Sequence, residues 1–302
     1  MRILVTGCTG MLGADLCLRL AGSHDLLGWA RHPGPPLGAV CRKESVDLTD
    51  PEAVRRGMGR FQPQLVIHSA AMTDVDACEK DPAAAQRVNA EATGMLAASC
   101  AEAGAVLLAV STDYVFSGES RAPYRETDPA GPVNAYGRSK LEGERLALER
   151  SSRVMVVRVS GLFGAARQNF VSLAARRLRM GEEVQAVEDQ ANSLSYTVDL
   201  ADGIARLLVP LETDPNAVAG GGRLHGVFHL ANEGGATRLA VAEEIARILG
   251  KPASLIRRTR WADLGRPARR PLQTILDNGR FSGIVGCRLR PWEAAVAAFL
   301  SN

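Results

Sequence analysis

Lysine is scarce in this chain: of 36 basic residues only four are Lys, at positions 43, 80, 140 and 251. No function is drawn from that bias. Net charge is also small, +3 over 302 residues, so the protein has no bulk attraction for nucleic acid. Aromatics make up only 5%, and they do not interleave with basic residues as a single-strand binder requires. None of the six cysteines (Cys8, Cys17, Cys41, Cys78, Cys100, Cys287) forms a C-x-x-C pair. Reduced thiols in a cytoplasmic protein are expected, with no metal site. Every apolar stretch is interrupted well short of the ~20 residues that a membrane span needs. The fold is expected to begin at Arg2, with no cleavable leader. Internal repeats and low-complexity segments are missing too. What remains is an ordinary soluble composition, 46% hydrophobic and 23% charged, long enough for one large domain or two smaller ones.

The chain opens on a β-rich run, Arg2 to Thr6, followed by Gly7-Cys8-Thr9-Gly10-Met11-Leu12-Gly13 and a helical pattern from Ala14 to Leu20. Strand, glycine turn and helix in that order form a dinucleotide-binding start. Gly7 permits the tight turn, Gly10 lets backbone approach a pyrophosphate, and Gly13 packs helix on strand. Gly7, Thr9, Gly10, Met11, Leu12 and Gly13 are therefore expected at the cofactor.

The strand Asp25 to Ala30 should end beside the adenosine ribose, where an NAD-binding protein usually places an acidic residue. This chain has Arg31 and His32. Arg31 either pairs with a 2′-phosphate, which favours NADP(H) over NAD(H), or is a solvated loop residue. Asp47 and Leu48 lie where such folds contact adenine, just before a helix capped by Asp50 with Pro51 at its first position. A buried strand, Leu65 to His68, delivers the small residues Ala70 and Ala71 to the cofactor face. His68 reads as a packed strand end. A long helical segment, Pro82 to Ala103, precedes the strand Ala105 to Val110. Strands alternating with helices through residue 159 argue for an α/β, Rossmann-type, doubly wound parallel sheet.

The densest chemistry lies between Ser111 and Glu144. A hydroxyl pair, Ser111-Thr112, follows an apolar run. Then Tyr136 and Lys140 stand four residues apart in a helical pattern covering roughly Asn134 to Glu149, so both can face one cleft. An ammonium beside a phenol favours phenolate and should lower the Tyr136 pKa, making it a usable acid or base. Thr112 could orient a substrate oxygen against it. Alone, such spacing also arises by chance, with Tyr136 half-buried and Lys140 solvated.

The combination of the glycine turn, Ser111-Thr112-Asp113-Tyr114-Val115-Phe116 and Tyr136-x-x-x-Lys140 resembles the extended short-chain dehydrogenase/reductase superfamily. Within it the likeness is greatest to the dTDP-4-dehydrorhamnose reductase family. Ala70-Ala71-x-Thr73-x-Val75-Asp76-x-x-Glu79, Arg87-Val88-Asn89, Tyr136-Gly137-x-Ser139-Lys140-x-x-Gly143-Glu144 and Arg270-Pro271-Leu272-Gln273-Thr274-Ile275-Leu276-Asp277 carry it. The resemblance implies a catalytic triad of Thr112, Tyr136 and Lys140, with Tyr136 and Lys140 also touching the cofactor. It implies a substrate site including Thr73, Val75, Tyr114 and Arg270, and a nucleotide-linked 4-keto-6-deoxysugar reduced with NADP(H), NAD(H) being allowed. Nucleic acid and membrane are not expected partners; a homodimer is compatible with the sequence.

Two positions depart from the family pattern. Gly161 stands where the family carries a Trp, and Leu194-Ser195 replaces Pro-Thr; both bear on the substrate pocket. Residues 1–164 with 193–231 are expected to form the nucleotide-binding domain, and 165–192 with 232–302 a smaller C-terminal substrate-binding lobe. Asp214 to Gly226, with Gly220-Gly221-Gly222, is expected as a mobile surface loop. Between Arg257 and Arg290 lie nine Arg against Asp263 and Asp277, a basic stretch that would suit a diphosphate. A sugar-nucleotide epimerase, a reductase of another sugar, and a non-catalytic NADP-binding regulator like the methionine adenosyltransferase β-subunit remain as alternatives.

Overall fold

Seven short runs pair edge to edge into one parallel sheet. They are β1 (Arg2–Thr6), β2 (Asp25–Ala30), β3 (Arg42–Ser45), β4 (Leu65–His68), β5 (Val106–Thr112), β6 (Val154–Val159) and β7 (Gly226–His229). Their order across the sheet is β7-β6-β5-β4-β1-β2-β3, and every pairing is parallel. The computed structural model describes residues 1–32, 40–214 and 216–301, and all that follows concerns those residues. Central strands such as β4 and β6 are buried along their whole length, as continuous apolar runs between two helical layers must be.

One layer contains α1 (Met11–Leu20) and a later helix, Thr197–Thr213, which pack on each other. The other contains α2 (Pro51–Phe61), α3 (Ala92–Ala103) and α4 (Ala135–Arg150). Each layer encloses its own apolar core, one around Ile3, Leu16, Ile67 and Phe228 and one around Trp29, Val66, Leu96 and Val156. The order in which strands are added reverses between β1 and β4, so the crevice outside their carboxyl ends is the place such a sheet offers a ligand. A further apolar core lies outside the sheet. It joins α5 (Phe170–Arg179) and α6 (Arg238–Ile248) through Val171, Leu178, Ile245 and Val296.

Local chemistry explains the boundaries. Asp50 caps α2 by accepting from the Glu52 and Ala53 N–H groups at 2.9 and 3.2 Å. Asn134 caps α4 through the Gly137 N–H at 2.8 Å. The expected long helix from Pro82 is not uniform: residues Gln86–Glu91 form a π-helical turn before α3 begins. The expected strand ending at Val110 continues through Thr112, which carries both hydroxyls onto the sheet's edge. The stretch Asp214 to Gly226 is no free loop. Ala217, Val218 and Leu224 are buried in the sheet core, because the turn needs apolar anchors to return the chain to β7.

One buried ion pair ties the layers together. Arg158 on β6 donates to both carboxylate oxygens of Glu144 on α4, at 3.0 and 2.7 Å, and each side chain is about 5% exposed. Ser111 at the end of β5 donates to the same carboxylate, and the guanidinium lies 5.0 Å over the Phe116 ring. Removing one partner leaves an uncompensated buried charge. Glu144→Ala is therefore expected to lower unfolding free energy by about 3–5 kcal/mol; a urea midpoint unchanged from the parent would show that the pair does not hold α4.

Candidate active site

Three elements bring the reactive groups together. Strand β5 ends at Thr112, the following 3₁₀ turn Asp113–Val115 presents Tyr114, and α4 carries Tyr136 and Lys140. Contact between turn and helix depends on Gly137: a Cβ there would lie 2.1 Å from the Tyr114 carbonyl oxygen. With no side chain in the way, the Tyr136 phenol comes near enough to the Thr112 hydroxyl for that hydroxyl to stabilise its anion. The rings of Tyr114 and Tyr136 meet edge to face at 5.7 Å.

The electrostatics differ from the expectation that Lys140 lowers the phenol's pKa. In this structure Tyr136 is shifted upward: burial is the main cause, and the Asp113 and Tyr114 charges add to it, while the Thr112 hydroxyl opposes. Helical spacing puts Lys140 on the right face, but its ammonium turns back to the sheet and donates to the Val110 carbonyl at 2.7 Å. A buried cation takes the nearest acceptor. Burial pulls Lys140 down to about 8, with Glu144 opposing. From there up to the ordinary lysine value the unfolded chain holds more protons, so this group's contribution to stability rises with pH over that window.

Asp113 lies directly behind the pair, 2% exposed. Thr112 Oγ1 donates to it at 3.1 Å, and the Thr274 hydroxyl donates from the far side. Burial raises its pKa to about 6, against those hydroxyls and that of Ser160. Asn89, on the π-helical turn, accepts from the Met72 N–H at 2.8 Å and donates to the Met72 carbonyl and Ser139 Oγ, both at 3.0 Å. It thereby clamps the segment carrying Ala70 and Ala71 to α4. The sequence assigned roles to neither residue, although a buried Asn inside a helix of small residues was a usable signal. His68 is a packed strand end, with Nδ1 on Thr6 Oγ1 at 2.7 Å and Nε2 on Thr93 Oγ1 at 3.0 Å.

The glycine turn fits a pyrophosphate on its own geometry. Gly10 caps α1 without a side-chain bond, and no acid occupies the first turn, so the leading N–H groups of α1 stay free. A Cβ at Gly10 would meet only the Gly7 carbonyl oxygen, at 3.1 Å, whereas one at Gly13 would meet it at 2.1 Å. Gly10 therefore faces open space and Gly13 closes the turn. Thr9, Met11 and Leu12 flank that opening, and the turn abuts Ala70, 2.7 Å from where a Gly7 Cβ would be. Arg31 is exposed. It stands close enough to Asp47 to help hold that carboxyl below its ordinary pKa, after the Thr49 N–H and hydroxyl. Leu48 is half-buried against the second sheet core.

Among residues expected at the substrate, Thr73 is exposed and Val75 begins a short helix, Val75–Lys80. Arg270 pairs with Asp76 at 2.9 Å and stacks 5.0 Å over Trp261. Gly161 adopts φ +53°, and a Cβ there would lie 2.4 Å from the Ser193 carbonyl oxygen, so this backbone leaves no room for an aromatic at that position. Leu194 is buried in the core of α5 and α6. A cavity of about 750 Å³ opens at the opposite edge of the sheet, beside Arg2, Met58, Gln64 and Glu102, away from all these groups. Among the described residues, no group of three or more His, Cys, Asp or Glu is placed to hold a metal ion, and no helix is long and apolar enough to cross a membrane.

The model of the RmlD substrate binding domain family matches residues 1–302. The chain belongs to that family. It is 38% identical to a dTDP-4-dehydrorhamnose reductase of Streptomyces griseus, over 98% of this chain and 91% of the relative. It is 35% identical to a probable dTDP-4,6-dihydroxy-2-methyloxan-3-one 4-ketoreductase of Streptomyces antibioticus, over 98% and 93%. The crystal structure of a dTDP-4-dehydrorhamnose reductase from Bacillus anthracis in complex with NADP superposes with a TM-score of 0.86 at 28% identity, covering 99% of this chain and 98% of that one. The expectation that Arg31 reads a 2′-phosphate is open to a direct test. Arg31→Ala should weaken NADPH binding more than NADH binding in fluorescence titrations; equal losses would remove Arg31 from 2′-phosphate recognition.

Proposed function

We propose that the protein is an NADPH-dependent reductase of a nucleotide-linked 4-keto-6-deoxysugar, dTDP-4-dehydrorhamnose, acting in the cytoplasm. The observation that carries this reading is the packing of the Tyr136 ring against Tyr114, whose N–H donates to the Thr112 hydroxyl at 3.2 Å, with Lys140 one helical turn on, in an RmlD-family chain. Residues 1–164 with 193–231 hold the cofactor, and residues 165–192 with 232–302 close over the sugar. NAD(H) remains usable, and a homodimer is compatible with this reading without being required by it.

Gly7, Gly10, Gly13, Thr9, Met11 and Leu12 surround the pyrophosphate, Ala70 and Ala71 let backbone approach the ligand, and Asp47 and Leu48 border adenine. Bound NADPH supplies the hydride. The substrate's keto oxygen sits between Thr112 and Tyr136, so the developing alkoxide takes the Tyr136 proton as it forms. Burial and the nearby Asp113 charge keep that phenol protonated through the neutral range, which is the form a reduction needs. Lys140 leaves the Val110 carbonyl for the nicotinamide ribose and adds positive charge beside the phenol. Thr73, Val75 and Tyr114 line the sugar, with Arg270 alongside.

A second reading, reduction of a different 4-keto-6-deoxysugar, draws on Gly161: the aromatic that the family places there is missing, and the backbone excludes it. Purified protein given NADPH and a panel of dTDP-, GDP- and UDP-linked 4-keto sugars separates the readings. Loss of nicotinamide absorbance with dTDP-4-dehydrorhamnose is expected; turnover of another sugar alone favours the second reading, and no turnover with any defeats both. Tyr136→Phe should bind NADP(H) nearly as the parent does while turnover falls roughly 10²–10⁴-fold, and full activity would take Tyr136 out of the mechanism. The kcat/KM for NADPH should decline as pH rises through about 8, where free Lys140 gives up its proton. Lys140→Arg stays charged and should move that limb to higher pH; a limb that does not move belongs to another group.

A further inference from the structure

Among the described residues Arg238 has no counter-ion, and two further guanidiniums influence it. It is the first residue of α6, following Thr237, which caps the helix through the Ala240 N–H at 3.1 Å. Its guanidinium carbon lies 5.3 Å over the ring of Phe170, the first residue of α5. That cation–π contact restrains the guanidinium before any ligand binds. The side chain is accessible to solvent, yet protein crowds it: burial is the main influence lowering its pKa, with Tyr114 opposing and Arg270 and Arg266 adding repulsion. Those two neighbours share one carboxylate, Asp76, at 2.9 Å from Arg270 and 3.7 Å from Arg266. Arg266 and Arg270 thus share a single acid, and Arg238 is the one of the three without an ion pair among the described residues.

The location gives that missing anion a chemical identity. Tyr114 feels the charges of both Arg238 and Arg270, and its ring touches Tyr136. Tyr114 therefore stands between the Tyr136 ring and the charges of Arg238 and Arg270. A nucleotide-linked sugar carries its diphosphate next to the pyranose that bears the keto group. We propose that Arg238 grips the diphosphate of the nucleotide-sugar substrate as a fork, with Arg266 and Arg270 adding positive charge behind it. The proposal rests on the nucleotide-sugar reading above. It makes Arg238 a specificity residue: it holds the part of the substrate that does not react, and Phe170 keeps its plane in place. A guanidinium matches two phosphate oxygens where an ammonium offers a point charge.

Calorimetric titration of the NADP⁺-loaded protein with dTDP and with thymidine tests this without turnover. The parent should bind dTDP, and Arg238→Ala should bind it about ten- to a hundredfold more weakly. Thymidine and NADP⁺ affinities should stay within about twofold of the parent's, since neither contact involves a lost charge-assisted bond. Arg238→Lys should fall between, and added salt should weaken dTDP more in the parent than in Arg238→Ala. Equal dTDP affinity in parent and Arg238→Ala would overturn the assignment while leaving the reductase reading intact. Parallel losses of dTDP and thymidine would also overturn it, because they would mean that Arg238 shapes the pocket as a whole. A parent that binds no nucleoside diphosphate would defeat the nucleotide-sugar reading, and this proposal with it.

Discussion

Glu144 and Arg158 meet out of water, and the geometry of the reaction centre depends on their meeting. Helix α4 carries both Tyr136 and Lys140, and the Thr112 hydroxyl sits on β5; a shift of an ångström between helix and sheet would separate them. The buried pair opposes that shift through charge-assisted bonds from Arg158 to both Glu144 oxygens, and Ser111 adds a bond from the strand that ends in Thr112. Such a pair need not raise net stability over an apolar packing of equal volume. Its effect is on register: one arrangement of α4 satisfies both charges, and alternatives do not.

Burial then governs the chemistry of what α4 presents. The same low-dielectric surroundings push Tyr136 and Asp113 up and Lys140 down, so each group is biased toward its neutral form before any ligand arrives. A neutral phenol is an acid in waiting. Lys140 is held by the Val110 carbonyl, and a ribose hydroxyl offers it a comparable acceptor. Asp113 introduces a buried carboxyl near the phenol, held by hydroxyls from three parts of the chain, Thr112, Ser160 and Thr274.

The substrate side is built less rigidly. At Gly161 the backbone takes a left-handed turn against the Ser193 carbonyl, so the aromatic found elsewhere in the family has no place to attach. Aromatic surface enters from other directions: Phe170 beneath Arg238, Trp261 beneath Arg270, and Tyr114 against Tyr136. In two of these three contacts the ring supports a guanidinium; Arg270 also pairs with Asp76, whereas Arg238 has only the ring among the described residues.

Much of the fold was legible in the chain because its signals are local. The glycine turn, the apolar runs of β1, β2, β4 and β6, the Asp50-Pro51 helix start and the i, i+4 spacing of Tyr136 and Lys140 each depend on residues within one or two turns of each other. By themselves they determined an α/β nucleotide-binding fold with an acid/base pair at the strand ends. Tertiary structure decided whatever depends on contacts between distant segments. Lys140 turned to Val110 and the phenol's pKa rose, because burial, which spacing does not encode, outweighs the pull of a neighbouring charge. Ala217, Val218 and Leu224 made an anchored turn of a glycine-rich loop because the core under the sheet, built from distant segments of the chain as well as near ones, had room for them. Arg238 looked like any first-turn arginine until α5 and α6 came together, and only there did the absence of an acid beside it acquire meaning. Periodicity reports which face of an element is apolar; which charge faces which is settled only when the elements pack.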